Sequence, residues 1–165
     1  LIQHHWFRRR VIVPILELLR QGVTPEKLAL SLAIGVALGA APILGVTTIL
    51  AIAICWATGL NPVAMQLTNY LMYPVQIILL IPFIRAGERL FHAPRLRITG
   101  AQIEQMFHSN PTFALHLLWT AIWHALTVWL VVAPMAIAIV YVVLAPVLRH
   151  SATRLHRRRT RAESP

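Results

Sequence analysis

Four neutral polar side chains stand at steps of three, four and three residues in a stretch that is otherwise apolar: Gln66, Asn69, Tyr73 and Gln76. On a helix this spacing puts all four on one face. A polar stripe among Leu, Ile, Val and Met must turn toward protein or water. It reads either as hydrogen-bonding glue between helices or as the lining of a substrate path. Upstream, Pro42-Ile43-Leu44-Gly45 interrupts an apolar run, because proline removes a backbone donor and glycine loosens a helix. Thr47 and Thr48 follow and are placed to cap a second half-helix. Broken helices aim backbone N–H groups at anions, and Arg85 and Arg89 close the striped helix where a phosphate headgroup could sit. With Asn61, which precedes Pro62, the candidate ligand-binding set is Thr47, Thr48, Asn61, Gln66, Asn69, Tyr73, Gln76, Arg85 and Arg89. The chemistry expected of it is recognition of an anionic lipid or a similar ligand.

Bond-making chemistry has little to work with. The sequence contains no Asp, and its five Glu residues all lie outside the apolar blocks. Paired-carboxylate catalysis and carboxylate-based proton coupling in the membrane are therefore not expected. Ser31, Ser109, Ser151 and Ser164 have no triad context, and no glycine-rich phosphate loop is present. Cys55 stands alone, which excludes an intrachain disulfide and a cysteine metal site. His116, Thr120 and His124 share a helical face; packing or interfacial roles suit these histidines better than metal binding, since no Asp, Glu or Cys accompanies them. The expectation is a non-enzyme without cofactor or metal.

The elements that must position these residues follow from the distribution of charge. All 20 charged residues, 15 basic and 5 acidic, fall in three stretches: Leu1–Lys27, Arg85–Glu104 and Arg149–Pro165. Leu28–Ile84 and Gln105–Leu148 carry none. With 58% hydrophobic residues, 12% charged residues and a mean hydropathy of +0.67, the chain lies outside the range of soluble domains. The net charge of +10 reads as the positive-inside pattern of a membrane protein, with no nucleic-acid partner. The fold class expected is all-α: an integral membrane helical protein with broken or re-entrant helices and amphipathic surface helices. No secretory signal is expected, because the first long apolar run starts only at Leu28.

Five segments result. Residues 1–21 form a basic interfacial amphipathic helix, centred on Trp6–Gln21 and ended by Gly22. Residues 22–91 form a membrane domain, opened by the cap sequence Thr24-Pro25-Glu26. In it Ser31, Gly35 and Gly39 make a small-residue ladder for close helix packing, and Ala33, Ala37 and Ala41 make a second. Helix breaks are expected at Pro42, Gly45, Pro62 and Pro74, with one helix running from Pro62 to Ile84. Residues 92–111 are a polar connector with a short surface helix after Thr99. Residues 112–148 are a second membrane block, with Trp119 and Trp123 as interfacial anchors and possible kinks at Pro134 and Pro146. Residues 149–165 are a basic tail.

Span lengths leave two topologies. If all three basic stretches are cytoplasmic, Leu28–Ile84 crosses twice, or dips and returns, and the second block is a tight hairpin near Pro134. In the rival, a shallow hairpin at Pro42 precedes a span at Pro62–Ile84 and one long tilted return helix, and the Arg85–Arg97 connector lies outside. The charge rule favours the first. Both make a multi-pass chain with cytoplasmic termini.

The series Thr24-Pro25-Glu26-Lys27-Leu28-Ala29-Leu30, Ala33-Ile34-Gly35, Pro42-x-x-Gly45-x-Thr47-Thr48, Leu60-Asn61-Pro62, Asn69, Pro74 and Gly87 resembles the bacterial membrane domain of unknown function number two-zero-six-two, over about residues 22–91. Many relatives have Asn-Pro where this chain has Asn69-Tyr70, with Pro74 the nearest proline. The resemblance implies an inner-membrane protein without a settled activity. Some relatives are joined to sugar-transferring enzymes, which implies envelope or lipid-carrier work. Two functions are thus in view: a small transport or lipid-handling module, or a non-catalytic scaffold that anchors an envelope-biosynthesis partner through its small-residue ladders. A basic tail that binds anionic lipid is a third. The partners expected are membrane lipids, with envelope proteins or further copies of the chain also open.

Overall fold

The computed structural model describes residues 23–43, 45–93 and 108–163, with side chains described as far as residue 153. The amphipathic segment 1–21, the cap at Gly22 and the surface helix after Thr99 lie outside the described residues. Those residues form five helices and no strand: α1 (Pro25–Gly39), α2 (Thr47–Thr58), α3 (Pro62–Leu71), α4 (Tyr73–Leu90) and α5 (Pro111–Glu163). The protein is all-α, and α5 is long and apolar enough to cross a membrane.

Local chemistry sets most helix ends. Thr24 caps α1, its side chain accepting from the Lys27 N–H at 3.4 Å, with Pro25 opening the first turn. Asn61 caps α3 through Oδ1, which accepts from the Ala64 N–H at 2.9 Å, and Pro62 follows it. Gly59, at φ +64°, ends α2 in the left-handed conformation, where a Cβ would be strained. Gly45, at φ +86°, makes the turn between α1 and α2. One expected cap is corrected: neither Thr47 nor Thr48 caps α2. Val46 holds that position without a side-chain bond, because both threonine hydroxyls face α3 and are engaged there.

Contacts along the helices give their directions. Ser31, Gly35 and Gly39 of α1 meet Asn61, Met65 and Asn69 of α3 in the same order, so these helices run parallel. α5 runs antiparallel to α1: the Trp129 indole donates to the Ala37 carbonyl at 2.9 Å. Ala145 and Leu148 pack on Leu28, Ala29 and Leu32. Arg149 then pairs with Glu26 at 2.6 Å. At the other end, Gly87 of α4 meets His124 of α5, and the Phe91 and His124 rings stack with centroids 4.4 Å apart. From the break after Gly39, α2 returns beside α3 to the level of Asn61.

Two expectations fail. The helix expected from Pro62 to Ile84 is two helices, α3 and α4, bent by 63°. Pro74 cannot donate to the Tyr70 carbonyl and its ring crowds that turn, so the bend falls at Met72. The hairpin near Pro134 is absent as well: α5 continues through Pro134 and Pro146. A proline kinks a long apolar helix, but no glycine or polar turn residue stands beside Pro134 to reverse the chain. The helix order is a short α1–α2 hairpin, a broken α3–α4 element and one long return helix, the same elements as in the second of the two layouts. With 15 and 12 residues, α1 and α2 reach only about 22 and 18 Å at 1.5 Å per residue. Each is shorter than the roughly 30 Å core of a bilayer. Apolar side chains face outward on α2, α4 and α5, among them Ile52, Trp56, Ile78 and Val142, as a lipid environment requires.

Candidate functional site

The polar stripe gathers around the α1–α2 break. Asn69 is buried and donates from Nδ2 to Thr47 Oγ1 at 3.3 Å. Gln66 donates from Nε2 to Thr48 Oγ1 at 3.0 Å. Gln76, also buried, donates to the Ala41 carbonyl at 2.7 Å and the Ile43 carbonyl at 3.1 Å. Those carbonyls lie at the break, where helix bonding has stopped, so Gln76 replaces the lost backbone partner. Tyr73 leaves the group: the 63° bend turns it outward, where it is 54% exposed. Among the described residues no buried side-chain nitrogen or oxygen lacks a partner. Asn69 and Gln76 thus both direct amide N–H groups to partners within the protein.

Asn61 is likewise occupied. It caps α3, and its backbone N–H donates to Ser31 Oγ at 3.0 Å while that hydroxyl donates to the Lys27 carbonyl at 2.7 Å. Gly35 and Gly39 lie flat against α3. A Cβ on Gly35 would overlap Thr68 Oγ1 and the Met65 carbonyl; one on Gly39 would come within 2.6 Å of Met72 Cβ. Thr68, which the sequence does not single out, uses this closeness. Its buried hydroxyl lies 3.1 Å from the Leu32 carbonyl across the helix pair and near its own helix's Ala64 and Met65 carbonyls. The Ser31–Gly35–Gly39 ladder is therefore filled by the chain's own α3. Pro42 is buried at the break.

Two openings lie among the described residues. A groove of about 480 Å³ runs between α2 and α3, walled by Ala51, Ile52, Pro62, Val63, Leu67 and Tyr70. The hydrogen-bonded Gln66–Thr48 pair also lines it. On each helix the wall follows one face, residues 48, 51 and 52 and residues 63, 66, 67 and 70. In sequence those faces look like any lipid-facing surface, so only Gln66 and Thr48 signalled the groove. The second opening, about 570 Å³, lies at the end of α4 among Arg85, Glu88, Arg89, His92 and Ala93. Arg85 pairs there with buried Glu88 at 2.9 Å. The nine candidate residues therefore do not form one site. Arg85 stands nine residues beyond Gln76 on α4, about 14 Å along the axis.

At the opposite end of the molecule, Glu26 stands in the first turn of α1. Its own backbone N–H, and then the Arg149 guanidinium, hold its carboxyl below the ordinary 4.5. His116 is exposed and separated from His124 by two helical turns, and its carbonyl accepts from Thr120 Oγ1 at 2.8 Å. No cluster of three metal-ligating side chains occurs among the described residues.

Residues 8–158 match the family described as "Uncharacterized protein conserved in bacteria (DUF2062)". The chain belongs to that family, and the match reaches well beyond residues 22–91 on both sides. No curated protein and no solved structure matches it.

Proposed function

We propose that this member of the bacterial family is a non-catalytic lipid-handling module whose α2–α3 groove takes the apolar chain of an anionic membrane lipid. The observation that carries the reading is the groove itself: about 480 Å³ of apolar-walled space, opening on an apolar surface, with one amide–hydroxyl pair in its lining. Pockets of a few hundred Å³ with few polar groups suit apolar ligands. Lys27 is exposed one helical turn before Ser31, and Arg149 lies at the same end of the molecule. With Arg149 paired to Glu26, Lys27 leaves that end with a net positive charge, which favours an anionic headgroup there. The scaffold reading loses its main support, because the small-residue ladder that would receive a partner helix is occupied by α3.

The arrangement supports a multi-pass inner-membrane protein in which α3–α4 and α5 cross and α1–α2 dips in and returns. The termini then share the cytoplasmic face, with +3 and +5 on their stretches. The connector, with +2, lies outside. In intact cells, an impermeant maleimide should label a cysteine introduced at Ser109 in a Cys55→Ala background. Labelling only after the membrane is opened would place the connector inside.

The function is tested by native mass spectrometry of the full chain, exchanged into detergent from phosphatidylglycerol or phosphatidylcholine vesicles. Phosphatidylglycerol should be retained, and Ala51→Phe, which fills the groove, should lose it while the protein stays folded. Equal retention of both lipids, or none by the wild type, would falsify the reading.

A further inference from the structure

α3 is held on its two sides by different means. Toward α1 its backbone is in contact at Gly35 and Gly39, with no space for a Cβ at either position. Toward α2, among the described residues, three side-chain bonds hold it: Gln66 to Thr48 at 3.0 Å, Asn69 to Thr47 at 3.3 Å, and Cys55 Sγ to Met65 Sδ at 3.6 Å. Ala51 and Cys55 of α2 also pack on Met65, with Leu38 and Leu60, in a small buried cluster, and the groove lies beside it. α2 is also bounded by Gly45 and Gly59, at φ +86° and +64°, and a Cβ on either would meet nothing within 4 Å. Backbone at such positions can rotate without a side chain colliding with its surroundings. The outer face of α2, with Ile49, Ile52 and Trp56, is largely exposed, Trp56 to 91%.

We propose that α2 is a hinged wall that admits the lipid chain sideways. The wall pivots at Gly59, where a short turn joins it to α3. Gly45 takes up the displacement at the far end. Thr47 and Thr48 part from Asn69 and Gln66, and the groove widens toward the bilayer. Threonine hydroxyls can fall back on carbonyls of their own helix, so opening strands no donor on α2. The released Gln66 amide becomes the polar group offered to a lipid ester or hydroxyl. This proposal rests on the groove being the lipid site, and the hinge is measurable without lipid.

The test places spin labels at Ile49 and Val143 of the full chain, in a Cys55→Ala background and phosphatidylglycerol vesicles, and reads their distance by double electron–electron resonance. Two distances are expected, and Gln66→Ala with Asn69→Ala should enrich the longer. A separate, unlabelled pair, Thr48→Cys with Gln66→Cys, should when oxidised slow uptake of a photoactivatable phosphatidylglycerol by about tenfold, as expected when the open state is depopulated to that extent. Reductant should restore uptake in the same sample, which separates a lock from misfolding. A single distance unchanged by the alanine variants, or uptake indifferent to the lock, overturns the hinge even if lipid is retained. Two distances with no lipid retained would leave the hinge standing and overturn the lipid-site reading alone.

Discussion

On one side of α3, Gly35 and Gly39 bring the α1 backbone close enough for the Thr68 hydroxyl to reach the Leu32 carbonyl. On the other, Gln66 and Asn69 reach across to Thr48 and Thr47, and a groove stays open beside them. The same ten-residue helix thus has one interface of close backbone contact and one made by side chains alone, in which Met65 packs on Ala51 and Cys55. In lipid no hydrophobic force distinguishes them, so packing and hydrogen bonds decide how firmly each holds. Close backbone packing joins α1, α3 and α5 into a frame. Side-chain bonding leaves α2 separable from it.

The comparison predicts a graded series. The largest effect belongs to Gly35→Val. Its Cβ meets a backbone carbonyl that cannot move aside, and overpacking of this kind costs about 1–3 kcal/mol or more. Thermal unfolding in detergent should show a large loss of Tm or no folded protein. Asn69→Ala removes one bond on the α2 side and should cost about 0.6 kcal/mol, with α2 loosened and the frame intact. Equal losses for the two variants would remove the distinction between the interfaces.

The smallest effect concerns the Glu26–Arg149 pair, which ties the start of α1 to α5. The Glu26 carboxyl is held below its ordinary 4.5 in the folded protein. Its contribution is therefore present above that value and is lost as pH falls through the lower, folded value. Glu26→Gln should lower Tm slightly at pH 7, and the gap to wild type should close in acid. A gap that persisted after the carboxyl was protonated would assign the effect to the helix cap instead of the charge pair.

Much of the helix layout is legible in the sequence because its causes are local. Thr24-Pro25, Asn61-Pro62 and Gly59 each act within one turn, and their helix ends fall where those residues place them. The break after Gly39 follows from Pro42 and Gly45 for the same reason. The stripe is only half legible. Its spacing turns Gln66, Asn69 and Gln76 toward protein or water without deciding which, because their partners lie 18, 22 and 35 residues away. Tyr73 has the right spacing and the wrong direction, because Pro74 bends the chain one residue before it.

By itself the sequence determines a helical chain suited to lipid, with its charges confined to three stretches, its breaks at proline and glycine, and no carboxylate within either apolar block. Composition and short-range backbone chemistry suffice for that. Only the tertiary structure decides that α5 continues through Pro134, that the glycine ladder belongs to α3, and that the candidate ligand residues divide between an internal seam and two separate openings. These outcomes depend on the relative directions of helices far apart in the chain. A helix face presents the same residues to lipid, to a partner helix or to a groove, and only the neighbour that arrives distinguishes them.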